Sequence, residues 1–433
     1  MGCTSEICYS KYLKLLYTEV VPALGCTEPI AVALAVAKAR ETLSGRVERV
    51  EVYTSPNIYK NGMGVGIPGT GLTGLQVAAA LGALEGNSDD KLELLKNVNS
   101  QLVELANALI DANKVLVSVK SSTHKLYVEA ICFDSEGNQG KAIIVDKHSN
   151  IVMAERNGVV VWEKAEEPVA VAEAANSEER IALTISEIYS FSQEVPFARI
   201  EFILKSAQMN TIIAKEGLTG DYGLKVGKTL SDYVKKGVLA NDMTNYAMSL
   251  TAAACDARMA GSTLPVMSNS GSGNQGLTAT LPVVAVAERL NASSEKLARA
   301  LVISHLVAIH IKTYLGRLSA LCGCVVASAG AGCGISYLMG GGVPEIESTI
   351  KNMIGNVTGM ICDGAKVGCA LKVSSGVNSA VQSALLALQG ICISANDGII
   401  DDDVEKTIQN MCRVGAEGMR ETDKLLLQIM TSK

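Results

Sequence analysis

The chain has 433 residues and a formal net charge of −6, which allows two or three domains and a large core. Its 38 lysines and arginines are scattered with no basic stripe, so a nucleic-acid partner is not expected. Only 4% of the residues are aromatic, and a chain dominated by Ala, Gly, Val and Leu suits closely packed helices.

The opening MGCTSEICYSKYLKLLYTEV lacks the basic region and apolar run of a signal peptide, and Glu6 stands where a myristoylation motif needs Ser or Thr. Twelve cysteines without a leader fit a reducing cytosol better than a disulfide framework, so a cytoplasmic protein is expected. Residues 5–21 place Tyr9, Tyr12, Leu13, Leu16 and Val20 at helical spacing until Pro22 stops the pattern. A second helix fits 28–43, and 47–54 (VERVEVYT) alternates as a strand. The glycine-rich run NGMGVGIPGTG (61–71) follows, then a helix near 72–84. From 114 to 162, apolar runs separated by turn residues predict an antiparallel meander. The stretch AEEPVAVAEAANSEER reads as a linker or connecting helix. From 180 onward helix dominates, broken by glycine, with no βαβ alternation.

The expected class is therefore α+β. N-terminal helices (1–45) pack on the larger lobe, a small antiparallel-sheet α+β lobe covers 46–165, and that larger all-helical lobe covers 178–433. Residues 318–344 carry no charge and are long enough to span a bilayer. Their many glycines, with cysteine and serine among the rest, instead predict buried chain packed around a cofactor, and no membrane partner is expected. The oligomeric state is not legible, and a homodimer is compatible with the sequence.

Two G-x-G-x-x-G patterns, starting at Gly64 and Gly271, are decoys. The first contains Pro68 and stands well beyond its strand, and the second follows no strand, so neither meets the requirements of a dinucleotide loop. The loop SNSGSGNQG (268–276) still precedes an apolar helix, where free backbone N–H groups favour an anion such as an amino-acid carboxylate.

The cysteines carry the remaining signal. Cys322, Cys324, Cys333, Cys362 and Cys369 are nearly all flanked by glycine, which lets backbone approach a bulky cofactor. Thiolates are the usual ligands of iron–sulfur clusters, but buried cysteines also serve as small hydrophobes, and spacing alone does not choose between the two. Zinc is disfavoured because no closely spaced cysteine pair with matching histidines exists. Cys362 and Cys369 would stand about 10 Å apart on an unbroken helix, so Gly364 and Gly368 are expected to break it.

The blocks GCTEPIA (25–31), NGMGVGIPGTG (61–71), SNSGSGNQG (268–276), GRLSALCG (316–323) and NMIGNVTGMICDGAKVGCALK (352–372) resemble the iron–sulfur L-cysteine desulfidase family, which is related to the α-chain of bacterial iron–sulfur L-serine dehydratases. The resemblance runs over nearly the whole chain. It implies a [4Fe–4S] cluster ligated by Cys322, Cys362 and Cys369, with Cys26 as catalytic proton acceptor and Cys324 and Cys333 left to packing. The implied reaction converts L-cysteine and water to sulfide, ammonia and pyruvate. The serine dehydratases carry a cysteine at their extreme C-terminus, whereas this chain ends LLLQIMTSK, which moves the expectation toward cysteine as substrate. L-Serine dehydration with the same cluster, and a non-catalytic iron–sulfur protein, are the alternatives.

The substrate carboxylate is expected on Ser270, Gly271, Gly273 and Asn274, with Asn61 from the other glycine loop and with Lys312 and Arg317 near the cluster segment. His310, in an apolar helix, reads as structural. Thr27 reads as the N-cap of the second helix, which places Cys26 just outside it, where the positive helix end would lower the thiol pKa. Glu28 is the rival base.

Overall fold

A computed structural model describes residues 6–124, 126–164, 183–316 and 319–432. Helix α1 (Glu6–Glu19) ends before the short strand β1 (Pro22–Ala23). Helix α2 (Thr27–Glu41) is apolar on nearly every face and almost wholly buried, as an all-round hydrophobic helix must be. Strand β2 (Val47–Thr54) leads into α3 (Pro56–Gly62), α4 (Leu75–Leu84) and α5 (Ser100–Asp111). Strands β3 (Val115–Val119), β4 (Tyr127–Asp134), β5 (Gln139–Val145), β6 (Ile151–Arg156) and β7 (Val159–Glu163) complete a six-stranded sheet in the order β3-β2-β4-β5-β6-β7.

The sheet from β4 to β7 is the expected antiparallel meander. The edge differs, because β3 pairs parallel to β2. Helices α3 to α5 intervene between these two strands, and such a crossover returns the chain to the end from which β2 started. Helix α3 takes up Asn61 and Gly62, which the sequence assigned to the glycine-rich loop. Inward residues of the sheet, such as Val50, Val52, Val128, Ala130 and Ile144, form one core with α2 and α4.

The second core is helical. It comprises α6 (Ile185–Glu194), the short α7 (Phe197–Ile200), α8 (Leu204–Thr219), α9 (Val226–Lys235) and α10 (Met243–Met259). Strand β8 (Val266–Met267) pairs antiparallel with β1. Then follow α11 (Gly273–Arg289), α12 (Ser294–Leu315), α13 (Gly323–Leu338), α14 (Val343–Val357), α15 (Cys369–Leu388), α16 (Val404–Arg413) and α17 (Arg420–Thr431). Helix α1 packs here through Tyr12, Leu13 and Leu16, whereas α2 belongs to the core of the sheet. The two N-terminal helices therefore part company, instead of both packing on the helical body.

The uncharged segment becomes α13 at the centre of this body, among α11, α12, α14 and α15. Its small residues let helices approach. A Cβ added at Gly330 would lie 2.3 Å from the carbonyl of Ser304 on α12. No helix among the described residues is long and apolar enough to cross a membrane.

Candidate active site

Two backbone segments bring the cysteines together. Leu321 and Ile361 form an isolated antiparallel bridge, the Cys322 N–H donates to Met360 O (3.0 Å), and the Cys362 N–H donates to Ala320 O (2.6 Å). This pairing sets Cys322 and Cys362 side by side, with a hydrogen bond between their thiols. Cys362 is pulled well below the usual thiol range, first by that bond and then by Lys60, the Gly364 N–H and Lys372. The same bond and burial push Cys322 up.

The helix break between Cys362 and Cys369 is present. Gly364 adopts φ +90°, and a Cβ there would lie 2.0 Å from the Lys60 carbonyl. This position combines a left-handed conformation with close approach, and only glycine satisfies both. Gly368 has φ −62° and serves as N-cap of α15, so Cys369 opens that helix. Cys369 lies within electrostatic reach of Cys362 and is pushed up by burial.

Lysines surround these thiols. Lys60 is 4% exposed and paired with Asp423 of α17. Lys366 and Lys372 both reach Asp363, and Lys372 Nζ donates to Ile361 O (2.8 Å).

Among the described residues, no three His, Cys, Asp or Glu side chains close tightly enough for a single metal ion. A cubane asks for something else, namely thiolates at separate corners of a bulkier body. The donor set of Cys322, Cys362 and Cys369, the surrounding lysines, and the uncrowded backbone at Gly368 fit that requirement. A Cβ added at Gly368 would meet nothing nearer than 3.9 Å.

The glycine loop after α3 docks on the same region. Gly64 bridges to Lys366, the Gly66 N–H donates to Met259 O (2.9 Å), and the Gly69 N–H donates to Gly261 O (3.1 Å). Asn61, half-buried, sits next to Lys60 at the end of α3.

The 268–276 loop is less open to an anion than its sequence suggests. Asn269 and Ser272 close a tight turn on each other's backbone, with Ser270 (φ 49°) and Gly271 (φ 75°) at its tip. The Ser270 N–H is taken by Glu19 O (3.0 Å). Hydrogen bonds within the turn and to α1 thus consume most of the N–H groups expected to be free. Gly273 and Asn274, as the first residues of α11, have no carbonyl of their own helix to bond. This helix start abuts the cysteine segment, because a Cβ at Gly323 would lie 3.0 Å from the Gln275 side chain.

The turn is pinned from below. Asn269 Nδ2 contacts His305 Nδ1 (3.0 Å), and His305 Nε2 contacts Thr280 Oγ1 (3.2 Å). Burial pushes the His305 imidazole down to about 3, so it stays neutral.

Cys26, not Thr27, is the N-cap of α2, and Thr27 is its first helical residue. The expected lowering of the Cys26 thiol is also reversed. Cys26 is 4% exposed, and burial pushes it up to about 11 although the Arg258 guanidinium beside it pulls the other way. Desolvation outweighs one cation and a helix end. Thr27 Oγ1 contacts His148 Nε2 (3.3 Å), which the β5–β6 turn brings from the sheet.

Lys312, expected near the carboxylate, lies elsewhere, and His310 has the structural place its sequence suggested. His310 pairs with Glu405 of α16 (2.6 Å). Lys312 sits in the last turn of α12, within electrostatic reach of Cys412 of α16. Arg317 lies outside the described residues. Cys324 bonds the Lys372 carbonyl (3.2 Å), and Cys333 is fully buried against Ile346. Burial pushes both thiols up.

Arg258 is the residue that the sequence hides. It lies in the last turn of α10 within the alanine-rich run TAAACDARMAG, where it reads as an ordinary basic residue near a helix end. In the fold it is 7% exposed. Its Nη2 donates to Gly25 O (2.8 Å) and its Nη1 to Asn274 Oδ1 (3.0 Å), tying Cys26 to the start of α11.

A protein family described as serine dehydratase alpha chain matches residues 89–428. Among curated relatives, a UPF0597 protein of Oleidesulfovibrio alaskensis is 51% identical over 98% of both chains. One of Bacteroides fragilis is 49% identical over 97% of both chains. One of Aeromonas hydrophila is 48% identical over 98% of this chain and 97% of its own.

Proposed function

Since the chain belongs to the serine dehydratase alpha chain family, we propose that it is an L-cysteine desulfidase, a lyase that eliminates sulfide from L-cysteine and releases ammonia and pyruvate. The observation that supports this reading is the meeting of Cys322, Cys362 and Cys369 beside the Cys26–Arg258 corner. Cys322, Cys362 and Cys369 would hold a [4Fe–4S] cluster, which when bound supplies Lewis acidity toward the leaving sulfur. Cys26 takes the α-proton. Its thiol is protonated in the resting chain, so proton removal precedes its service as base. The start of α11 at Gly273 and Asn274 faces the carboxylate end of the substrate, with Asn61 and the glycine loop closing the other side. The same reading places the protein in the reducing cytosol.

L-Serine dehydration is the second reading, and the family description favours it. The test is anaerobic reconstitution with iron and sulfide, followed by pyruvate release from L-cysteine and L-serine side by side. Faster turnover of cysteine, with equimolar sulfide, supports the desulfidase. Faster turnover of serine overturns it, and no pyruvate from either substrate leaves a cluster protein without this chemistry.

A further inference from the structure

We propose that Arg258 and the first turn of α11 form a carboxylate subsite that makes the active site specific for free α-amino acids. The inference rests on the reading above for its substrate class and adds the residue that selects it.

A guanidinium 7% exposed is normally paired with a carboxylate, because an uncompensated buried charge is costly. Among the described residues Arg258 has no ion pair. Its two terminal nitrogens are held by neutral acceptors, Gly25 O and Asn274 Oδ1. Its Nε is buried and has no hydrogen-bond partner. The acid two residues before it, Asp256, is engaged elsewhere, accepting the Gly227 N–H (3.0 Å).

The unpartnered Nε lies against Gly273. A Cβ added to Gly273 would sit 2.2 Å from that nitrogen. Gly273 is the first residue of the 17-residue α11, so the guanidinium crosses the positive end of a long helix. Two positive groups packed together in a dry place call for an anion between them. The neighbouring Cys26 thiol lies within hydrogen-bonding reach of the guanidinium, but burial pushes it up and it is no standing anion. A ligand carboxylate is the complement, with Arg258 and the free N–H groups at the start of α11 as donors.

The position suits an amino acid. A carboxylate on Arg258 leaves the α-carbon beside Cys26, which the same arginine touches electrostatically. The β-substituent then has Cys322 within reach, since Gln275 of α11 abuts Gly323. Amides and esters, which lack the free carboxylate, would leave Arg258 uncompensated.

The probes are L-alanine, which has no leaving group, and L-alaninamide, which has no carboxylate. Calorimetric titration of the reconstituted protein should detect L-alanine binding and at least tenfold weaker L-alaninamide binding, about the loss of one hydrogen bond to a charged group. Arg258→Gln should weaken L-alanine about 10- to 100-fold, and Arg258→Lys should fall between. In turnover, Arg258→Gln should raise KM for L-cysteine by a larger factor than it lowers kcat. Equal binding of the two probes by the unaltered protein, or binding of neither, overturns the subsite and needs no variant to fold. Unchanged L-alanine affinity in a folded Arg258→Gln protein overturns it too. Sulfide release that is indifferent to Arg258 refutes the subsite and keeps the desulfidase. Arg258-dependent L-alanine binding without sulfide release refutes the desulfidase and keeps the subsite.

Discussion

Cys26 and Cys362 are both enclosed thiols beside cations, yet their protons are held with opposite preference. Cys26 has one guanidinium near it, and burial pushes it up to about 11. Cys362 accepts a hydrogen bond from Cys322 and a backbone N–H from Gly364, with Lys60 and Lys372 nearby, and is pulled down. Burial is common to both, so what separates them is the balance of donors and cations against nearby negative groups, with Glu28 and Cys369 adding to the rise at Cys26. A lowered thiol readies Cys362 for a metal, which binds the deprotonated form, whereas Cys322 and Cys369 are pushed up and would give up their protons on binding. A thiol held protonated suits a group that exchanges a proton during turnover.

The sharpest way to break this contrast is to remove the ligands. Cys322→Ala, Cys362→Ala or Cys369→Ala should each abolish the broad visible absorption near about 400 nm of a reconstituted cluster, whereas Cys324→Ala and Cys333→Ala should retain it. If Cys324→Ala loses the absorption and Cys322→Ala keeps it, the ligand set is wrong. Next, Cys26→Ser should keep the absorption and lower kcat by about 10²–10⁴, the usual worth of a general base. Loss of the absorption in that variant would make Cys26 an iron ligand instead.

The sequence carried the helical body, the meander and the cysteine blocks, because periodicity and turn chemistry are local. The break at Gly364 followed from counting residues between Cys362 and Cys369. What stayed hidden was set by tertiary packing. The parallel edge strand β3 depends on a crossover through three helices. The Ser270–Gly271 turn spends its donors on Asn269, Ser272 and Glu19, and Glu19 is about 250 residues away in sequence. Arg258 looks like any basic residue near a helix end until its neighbours Gly25 and Asn274 are known. The Cys26 proton preference went the wrong way for a related reason. A helix N-terminus is legible in sequence, and the degree of burial is not.

The pH profile sharpens the comparison further. Only the Cys26 thiolate accepts a proton, and a thiol pushed up to about 11 gives a thiolate fraction that grows about tenfold per pH unit below that value. The kcat/KM of the unaltered enzyme should therefore climb with pH through the alkaline range. Arg258 pulls the thiol down, so Arg258→Gln should move this limb to still higher pH. A profile that is flat from about pH 7 to pH 10 would remove Cys26 as the titrating base.

The smallest expected effect concerns the residue next to Cys26. Thr27 is the first helical residue of α2 and makes no cap bond to that helix. Its hydroxyl meets His148 from the β5–β6 turn (3.3 Å) and Glu28 (3.5 Å), a partly buried contact at the end of the helix. Thr184 is the control, since its side chain accepts the Glu187 N–H (3.2 Å) and Glu187 bonds back in a complete capping box on α6. Thr184→Ala should cost about 1 kcal/mol in denaturant unfolding, the usual worth of an N-cap. Thr27→Ala should cost at most about 0.5 kcal/mol, because it removes no cap. If Thr27→Ala matches or exceeds Thr184→Ala, Thr27 caps α2 after all. Cys26 would then lie outside the helix, where the dipole favours its thiolate, and the contrast with Cys362 would shrink.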